Sequence, residues 1–207
     1  AIVFGAEEYL REALAPYAAE PPPLLAIISS CAAGLIGDDI EAIARGAGLS
    51  CPIAVLDSSG LAGSFADGWD KAACAVLSAF LLEQHAGQAN AVNLIGVTSA
   101  YYNGENDADE LMRLLALAGY RVNAALGCDM SAADLSGLTQ AALNIVVHDE
   151  LGGGAAHLLA ETCGMPCIAP LPPYGRAGTR KWLAEIGRVL PAPRADAAEE
   201  EITRVTR

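Results

Sequence analysis

Leu24-Leu-Ala-Ile-Ile-Ser-Ser-Cys-Ala-Ala-Gly-Leu-Ile-Gly-Asp-Asp-Ile40 is the stretch that decides the fold. Its first part, Leu24–Ser30, is an apolar run closed by two serines, the pattern of a strand covered on both faces. Small residues follow, and Asp38 then stands where the next amphipathic stretch, Asp38–Gly48, needs an N-cap. Strand, small-residue turn and capped helix in direct succession make a βα unit. A strand buried on both sides requires helices above and below its sheet, which parallel βαβ connections supply.

The same rhythm extends in both directions. Ala1–Phe4 reads as a strand and Glu7–Ala19 as a helix before it; Pro52–Asp57 as a strand and Asp67–Gln84 as a long helix after it. The polar, glycine-bearing patch His85–Asn90 interrupts the apolar period. Beyond it come strand Ala91–Thr98, helix Asp107–Gly119, strand Arg121–Leu126, helix Ala132–Ala142 and strand Leu143–Val147. Helix Gly153–Cys163 stops at Gly164, as a C′ glycine makes it stop, and strand Cys167–Leu171 leads through prolines into helix Thr179–Leu190. The expected fold is α/β: two tandem Rossmann-like subdomains, residues 1–88 and 89–190, with parallel sheets flanked by helices. Residues 191–207 lose the apolar period and are expected to be a solvated tail or a truncated helix.

Composition bounds the function. With 207 residues, 53% apolar and 18% charged, the chain is oily enough to bury a core, which excludes intrinsic disorder. Twelve Lys+Arg against 25 Asp+Glu leave a net charge of −13, which repels nucleic acid and anionic membrane surfaces. The longest apolar run, Leu24–Gly37, falls short of the roughly 18–20 residues of a membrane span. Nothing at the N-terminus has the pattern of a secretory signal, so a reducing cytoplasm is the expected compartment and the six cysteines are expected as thiols or metal ligands. Gly-x-x-x-x-Gly-Lys-Ser/Thr, Gly-x-Gly-x-x-Gly and Gly-x-Ser-x-Gly are all absent, so ATP hydrolysis would have to come from a partner and the simplest hydrolase reading falls away.

In open α/β sheets ligands sit beyond the carboxyl ends of strands. Cys31 follows a strand there, beside a forming helix N-terminus whose N–H groups favour the thiolate; a small buried residue is the plain alternative. The Ser58–Ser64 loop is rich in small residues, which lets backbone approach a bulky cofactor, and serves equally as a helix-entry loop. His148, just past strand Leu143–Val147, suits a proton donor, a ligand or a structural role. Tyr101-Tyr102-Asn103-Gly104 could stack on a flat ligand or form a surface turn. Cys128 lies at the ligand edge of the second sheet. Cys163-Gly-Met-Pro-Cys167 has a metal-like spacing, but a helix end and a strand start explain it; Cys51 and Cys74 read as packing.

Several of these stretches resemble one family. Cys31-x-x-Gly34-Leu-Ile-Gly37-Asp-Asp-Ile is similar to the signature of the nitrogenase component 1 family: the molybdenum–iron protein subunits, the cofactor scaffolds and the protochlorophyllide-reductase-like relatives. Ala1-Ile-Val-Phe-Gly-Ala-Glu-Glu8, Ser58–Asp70, Val92-Asn-Leu-Ile-Gly96, Gly119-Tyr-Arg-Val-Asn123 and Pro173-Tyr-Gly175 followed by Thr179 resemble further segments in order. The resemblance implies an oxidoreductase subunit, or a fragment or shortened member, that takes low-potential electrons from a P-loop iron protein through an iron–sulfur cluster, [4Fe–4S] or P-cluster-like. It puts Cys31 among the cluster ligands, with Gly34, Gly37, Ser59 and Ser64 around the cofactor. A cubane wants four ligands, so the remainder must come from outside this chain or from a second chain in a homo- or hetero-oligomer. A non-catalytic scaffold for metallocluster or tetrapyrrole assembly, and a cluster-free α/β binding domain, stay open. The catalytic residues and the reduced substrate are not given by the resemblance.

Overall fold

The computed structural model describes residues 7–31, 37–56, 63–80 and 86–204. The chain divides into two units, Ala1–Leu81 and Leu82–Arg207. Both are built from parallel strands and helices, the α/β class expected from the apolar runs. The strand expected at Ala1–Phe4 lies outside the described residues.

The first unit begins with α1 (Glu7–Leu14), which Pro16 tightens into a 3₁₀ turn at Ala15–Ala18. Strand β1 (Leu25–Ile28) pairs in parallel with β2 (Ile53–Leu56), in register from Leu25↔Ile53 to Ile28↔Leu56. Between them lies α2 (Ile40–Gly46) and after them α3 (Phe65–Ala79). Asp39, rather than Asp38, caps α2: its carboxylate accepts from the Ala42 N–H at 2.9 Å. Leu14, Ile43, Ala44, Ala54 and Leu77 are buried in this unit, while Ile28 and Phe65 stay largely exposed.

The second unit holds a four-stranded parallel sheet in the order β4-β3-β5-β6. Its elements are β3 (Gln88–Ile95), α4 (Gly104–Leu117), β4 (Arg121–Leu126), α5 (Ala132–Ser136), a 3₁₀ turn at Leu138–Gln140, and β5 (Ala141–Val146). They continue with α6 (Asp149–Cys163), β6 (Cys167–Ile168), α7 (Gly175–Val189) and α8 (Ala195–Arg204). Val92, Leu94, Leu115, Leu143, Ile145, Trp182 and Ile186 are sealed in one core. Residues 195–204 form an amphipathic helix whose Ala198 and Ile202 are buried, held from outside by Arg180 to Glu199 at 2.6 Å and Arg113 to Glu201 at 3.3 Å.

Several boundaries differ from those read off the sequence, and three of the differences have a plain physical reason. The helix expected over Ala132–Ala142 stops at Ser136, because Leu138 and Thr139 are pulled under the sheet and β5 begins at Ala141. Helix α6 starts at Asp149 instead of Gly153, its glycines lying where the helix crosses β3 rather than before it. Strand β6 ends after two residues, since Pro170, Pro172 and Pro173 offer no N–H to a ladder.

A line of asparagines, Asn93 and Asn144 buried and Asn123 half-buried, crosses the sheet. Asn93 on β3 donates to the Asn144 side-chain oxygen on β5 at 2.8 Å and to the Leu138 carbonyl at 2.9 Å. Asn123 on β4 donates to the Asn93 side-chain oxygen and to the Gly137 carbonyl, both at 3.0 Å. The β3–β4 register shifts at this point, with Val92 opposite Val122 and Asn93 opposite Ala124, so Asn123 is the inserted residue.

Candidate functional site

The carboxyl ends of β1 and β2 open into a cleft of about 320 Å³ lined by Ser29, Gly37, Asp38, Asp39, Val55 and Leu56. Cys31 lies just past this edge, three residues beyond Ile28, and is exposed. Gly37 has φ +81°, a left-handed conformation that a side chain strains, although a Cβ there would meet nothing within 4 Å. The glycine is needed for the turn and not for room. Gly34 and Ser59 fall outside the described residues.

Ser64 is committed to α3. Its hydroxyl accepts from the Asp67 N–H at 3.3 Å and donates to the Asp67 carboxylate at 2.8 Å, while its own N–H donates to that carboxylate at 2.7 Å. The two residues close a capping box. These bonds hold the Asp67 carboxyl below the usual carboxylate range, the Ser64 N–H contributing most. A folded pKa below the unfolded one means stability that is present above the ordinary carboxylate range and disappears as pH falls through the depressed value. In Ser64→Ala, which removes the hydroxyl but keeps the N–H, the Asp67 midpoint followed by carboxyl NMR is expected to move up only part of the way toward an ordinary aspartate. The acid unfolding of α3 should then start at higher pH; an unmoved Asp67 midpoint would refute the cap assignment.

In the second unit, β3 is followed in space by β4 on one side and β5 on the other, so the chain reverses direction across the sheet between β3 and β5. At the carboxyl ends of these two strands the Tyr101 ring stands edge-on to His148, centroids 6.2 Å apart at 68°. His148 Nδ1 lies 3.8 Å from the Glu150 carboxylate. Tyr102 beside them is fully exposed. The floor is made by two glycines: a Cβ on Gly152 of α6 would lie 2.6 Å from the Gly96 N. The structure thus joins Tyr101 and His148, which the sequence alone leaves as separate candidates.

The remaining cysteines are placed as packing groups. All six cysteines are thiols rather than disulfides. The Cys167 Sγ donates to the Ala156 carbonyl at 3.3 Å, and burial pushes its thiol up. Burial likewise raises the Cys74 thiol, with Asp70 adding to it. Cys128 is raised by burial and then by Glu105 and Asp109. Among the described residues no group of three or more His, Cys, Asp or Glu side chains is arranged to hold a metal ion, and no helix is long and apolar enough to cross a membrane.

The family model of the nitrogenase component 1 type oxidoreductases matches residues 1–207. The chain belongs to that family. It is 28% identical over 182 residues to a light-independent protochlorophyllide reductase subunit of Chloroflexus aurantiacus, a match covering 88% of this chain and 34% of that protein. To the corresponding subunit of Halorhodospira halophila it is 29% identical over 191 residues, with 88% and 36% covered. The solved structure described as nitrogenase Cp1 at pH 5 superposes with a TM-score of 0.80 at 27% identity, covering 98% of this chain and 41% of that one. The chain therefore spans about a third of the length of the curated relatives it matches. As a component 1-type chain it carries the family's α/β architecture in both units, and Cys31 sits at the end of the first strand of the described part.

Cys31 alone does not make a cluster site. A cubane takes four ligands, and the described residues offer an exposed thiol at this edge but no group of three or more His, Cys, Asp or Glu side chains arranged to hold a metal. The Cys31 thiol would suit one ligand position of such a cluster, and a whole site is not assembled among the described residues.

Proposed function

We propose that this chain is part of a component 1-type oxidoreductase subunit in which Cys31 supplies one thiolate to an iron–sulfur cluster shared with residues beyond the described ones or with a second chain. Low-potential electrons would come from an ATP-dependent P-loop iron protein, since this sequence carries no nucleotide-binding loop of that kind. The family match over residues 1–207 carries the reading, and the exposure of Cys31 at the carboxyl edge of β1 supports it. A cluster of this kind supplies one-electron transfer when bound. What the chain itself contributes is placement: β1 ends at Ile28, the backbone N–H of Ser29 donates to the Leu56 carbonyl at 2.8 Å, and the thiol is presented two residues further on, outside the pairing. A cytoplasmic location and a homo- or hetero-oligomer with another component 1-type chain belong to the same proposal.

The test is iron content. Prepared anaerobically with its partner chain, the Cys31→Ala protein is expected to hold less iron and to lose absorption in the thiolate-to-iron region. Cys163→Ala, at a helix end away from any proposed ligand role, should retain both. Iron unchanged in Cys31→Ala would overturn the ligand assignment.

A further inference from the structure

Strand β4 is the outer strand of the second sheet among the described residues, six residues long from Arg121 to Leu126. An edge strand directs alternate N–H and C=O groups away from its sheet, a ready template for another strand. Along it runs a groove of about 690 Å³, walled by α4 on one side and by the segment after β4 on the other. At roughly 3.3 Å per residue the strand offers about 20 Å of this edge. Glu105 and Asp109 of α4, together with Asp129 and Asp134, line the groove, and no Lys, Arg or His does. Met112 and the β4 residues Val122, Asn123, Ala124 and Ala125 line the rest of it. None of these residues is used by the reading built on Cys31.

We propose that this groove docks an extended, lysine- or arginine-bearing segment of a partner protein, which adds to the sheet beside β4. Charge selects the occupant. Edge strands are commonly guarded by charge against pairing with copies of themselves, and a wall of carboxylates on a chain of net charge −13 repels a second copy and any acidic segment. The same wall draws in a cationic strand, whose alternate side chains would reach Glu105 and Asp109 on the helix side while its backbone pairs with β4. Backbone bonds then provide affinity and the carboxylates provide selection.

The probe is a synthetic peptide of alternating lysine and valine, titrated against the 207-residue chain at low salt and followed by fluorescence anisotropy and by hydrogen exchange of those Val122–Leu126 amides that face away from β3. Binding is expected with protection of these amides, weakening as salt screens the pairs. In Glu105→Gln/Asp109→Asn/Asp129→Asn, three exposed positions of which the last keeps a residue type tolerant of its positive φ, affinity should fall about tenfold with the circular dichroism unchanged. A peptide of the same charge, N-methylated at every residue, cannot add a strand by either edge and should neither bind comparably nor protect β4. No binding, equal binding of the N-methylated peptide, unchanged affinity in the triple variant, or protection without peptide of the β4 amides that face away from β3 would each overturn the proposal. Because the readout involves no iron, these failures are distinct from any failure of Cys31 as a ligand.

Discussion

Asn93→Leu is expected to destabilise the second unit by about 2–4 kcal/mol, although leucine is nearly isosteric with asparagine and more at home in a core. Asn93 is fully buried at the centre of the sheet. Its removal strips the Asn144 side-chain oxygen of its donor, the Leu138 carbonyl of one of two donors, since the Ala141 N–H remains, and the Asn123 amide of one acceptor. Each buried group left without its partner costs about 1–3 kcal/mol. Asn123 retains the Gly137 carbonyl, so its share is small. Leu138 retains the Ala141 N–H, so Asn144 carries most of the loss. The measurement is denaturant unfolding followed by Trp182 emission in a Trp69→Phe background. The double variant Asn93→Leu/Asn144→Leu should lose less than the sum of the single losses, because it also removes one of the stranded groups. A loss below about 1 kcal/mol in Asn93→Leu, or strict additivity, would mean that the asparagines are not coupled.

The asparagine line also shows where the sequence is opaque. The βα rhythm is legible because Leu25–Ile28, Leu94–Ile95 and Ile145–Val147 are apolar on both faces and are separated by helix-length polar-faced stretches. Asn144, however, sits inside a run that reads as continuously apolar, and its burial is tolerable only because Asn93 comes alongside it. That pairing depends on β5 lying next to β3, an order that periodicity does not encode. The meeting of Tyr101 with His148 and the groove on β4 depend on the same order. Cys31 is legible as a strand-end thiol because that statement needs one strand only. Asp39 takes the cap expected of Asp38 because two adjacent aspartates offer the helix two phases, and only the backbone at residue 39 decides between them. Resemblance groups Ser64 with the cofactor loop, while the Ser-x-x-Asp spacing to Asp67 already carries the local signal of a capping box.

Gly96→Ala is expected to cost about 2–4 kcal/mol and to displace His148, which makes it the most direct probe of the crevice between β3 and β5. Gly96 has φ +76°, so any side chain pays the left-handed penalty of about 1–2 kcal/mol. The added Cβ would also collide with the His148 carbonyl oxygen, and that atom is backbone at the start of α6, where it accepts from the Leu151 N–H at 3.1 Å. It cannot turn aside as a flexible side chain would. Either α6 moves outward or β3 leaves β5, whose junction here is the Val147 N–H to Ile95 carbonyl bond at 2.8 Å. Gly152→Ala applies the same pressure from the opposite side, its Cβ falling 2.6 Å from the Gly96 N and 2.8 Å from the Ile95 Cγ2, without a positive φ. It should therefore cost less, about 1–3 kcal/mol. Both substitutions should change the ring-current shift that Tyr101 imposes on the His148 imidazole protons, since the edge-on contact at 6.2 Å rests on the two strand ends held together. If Gly96→Ala kept the stability and the His148 shifts of the unaltered chain, the two glycines would not be what brings the strand ends into one site.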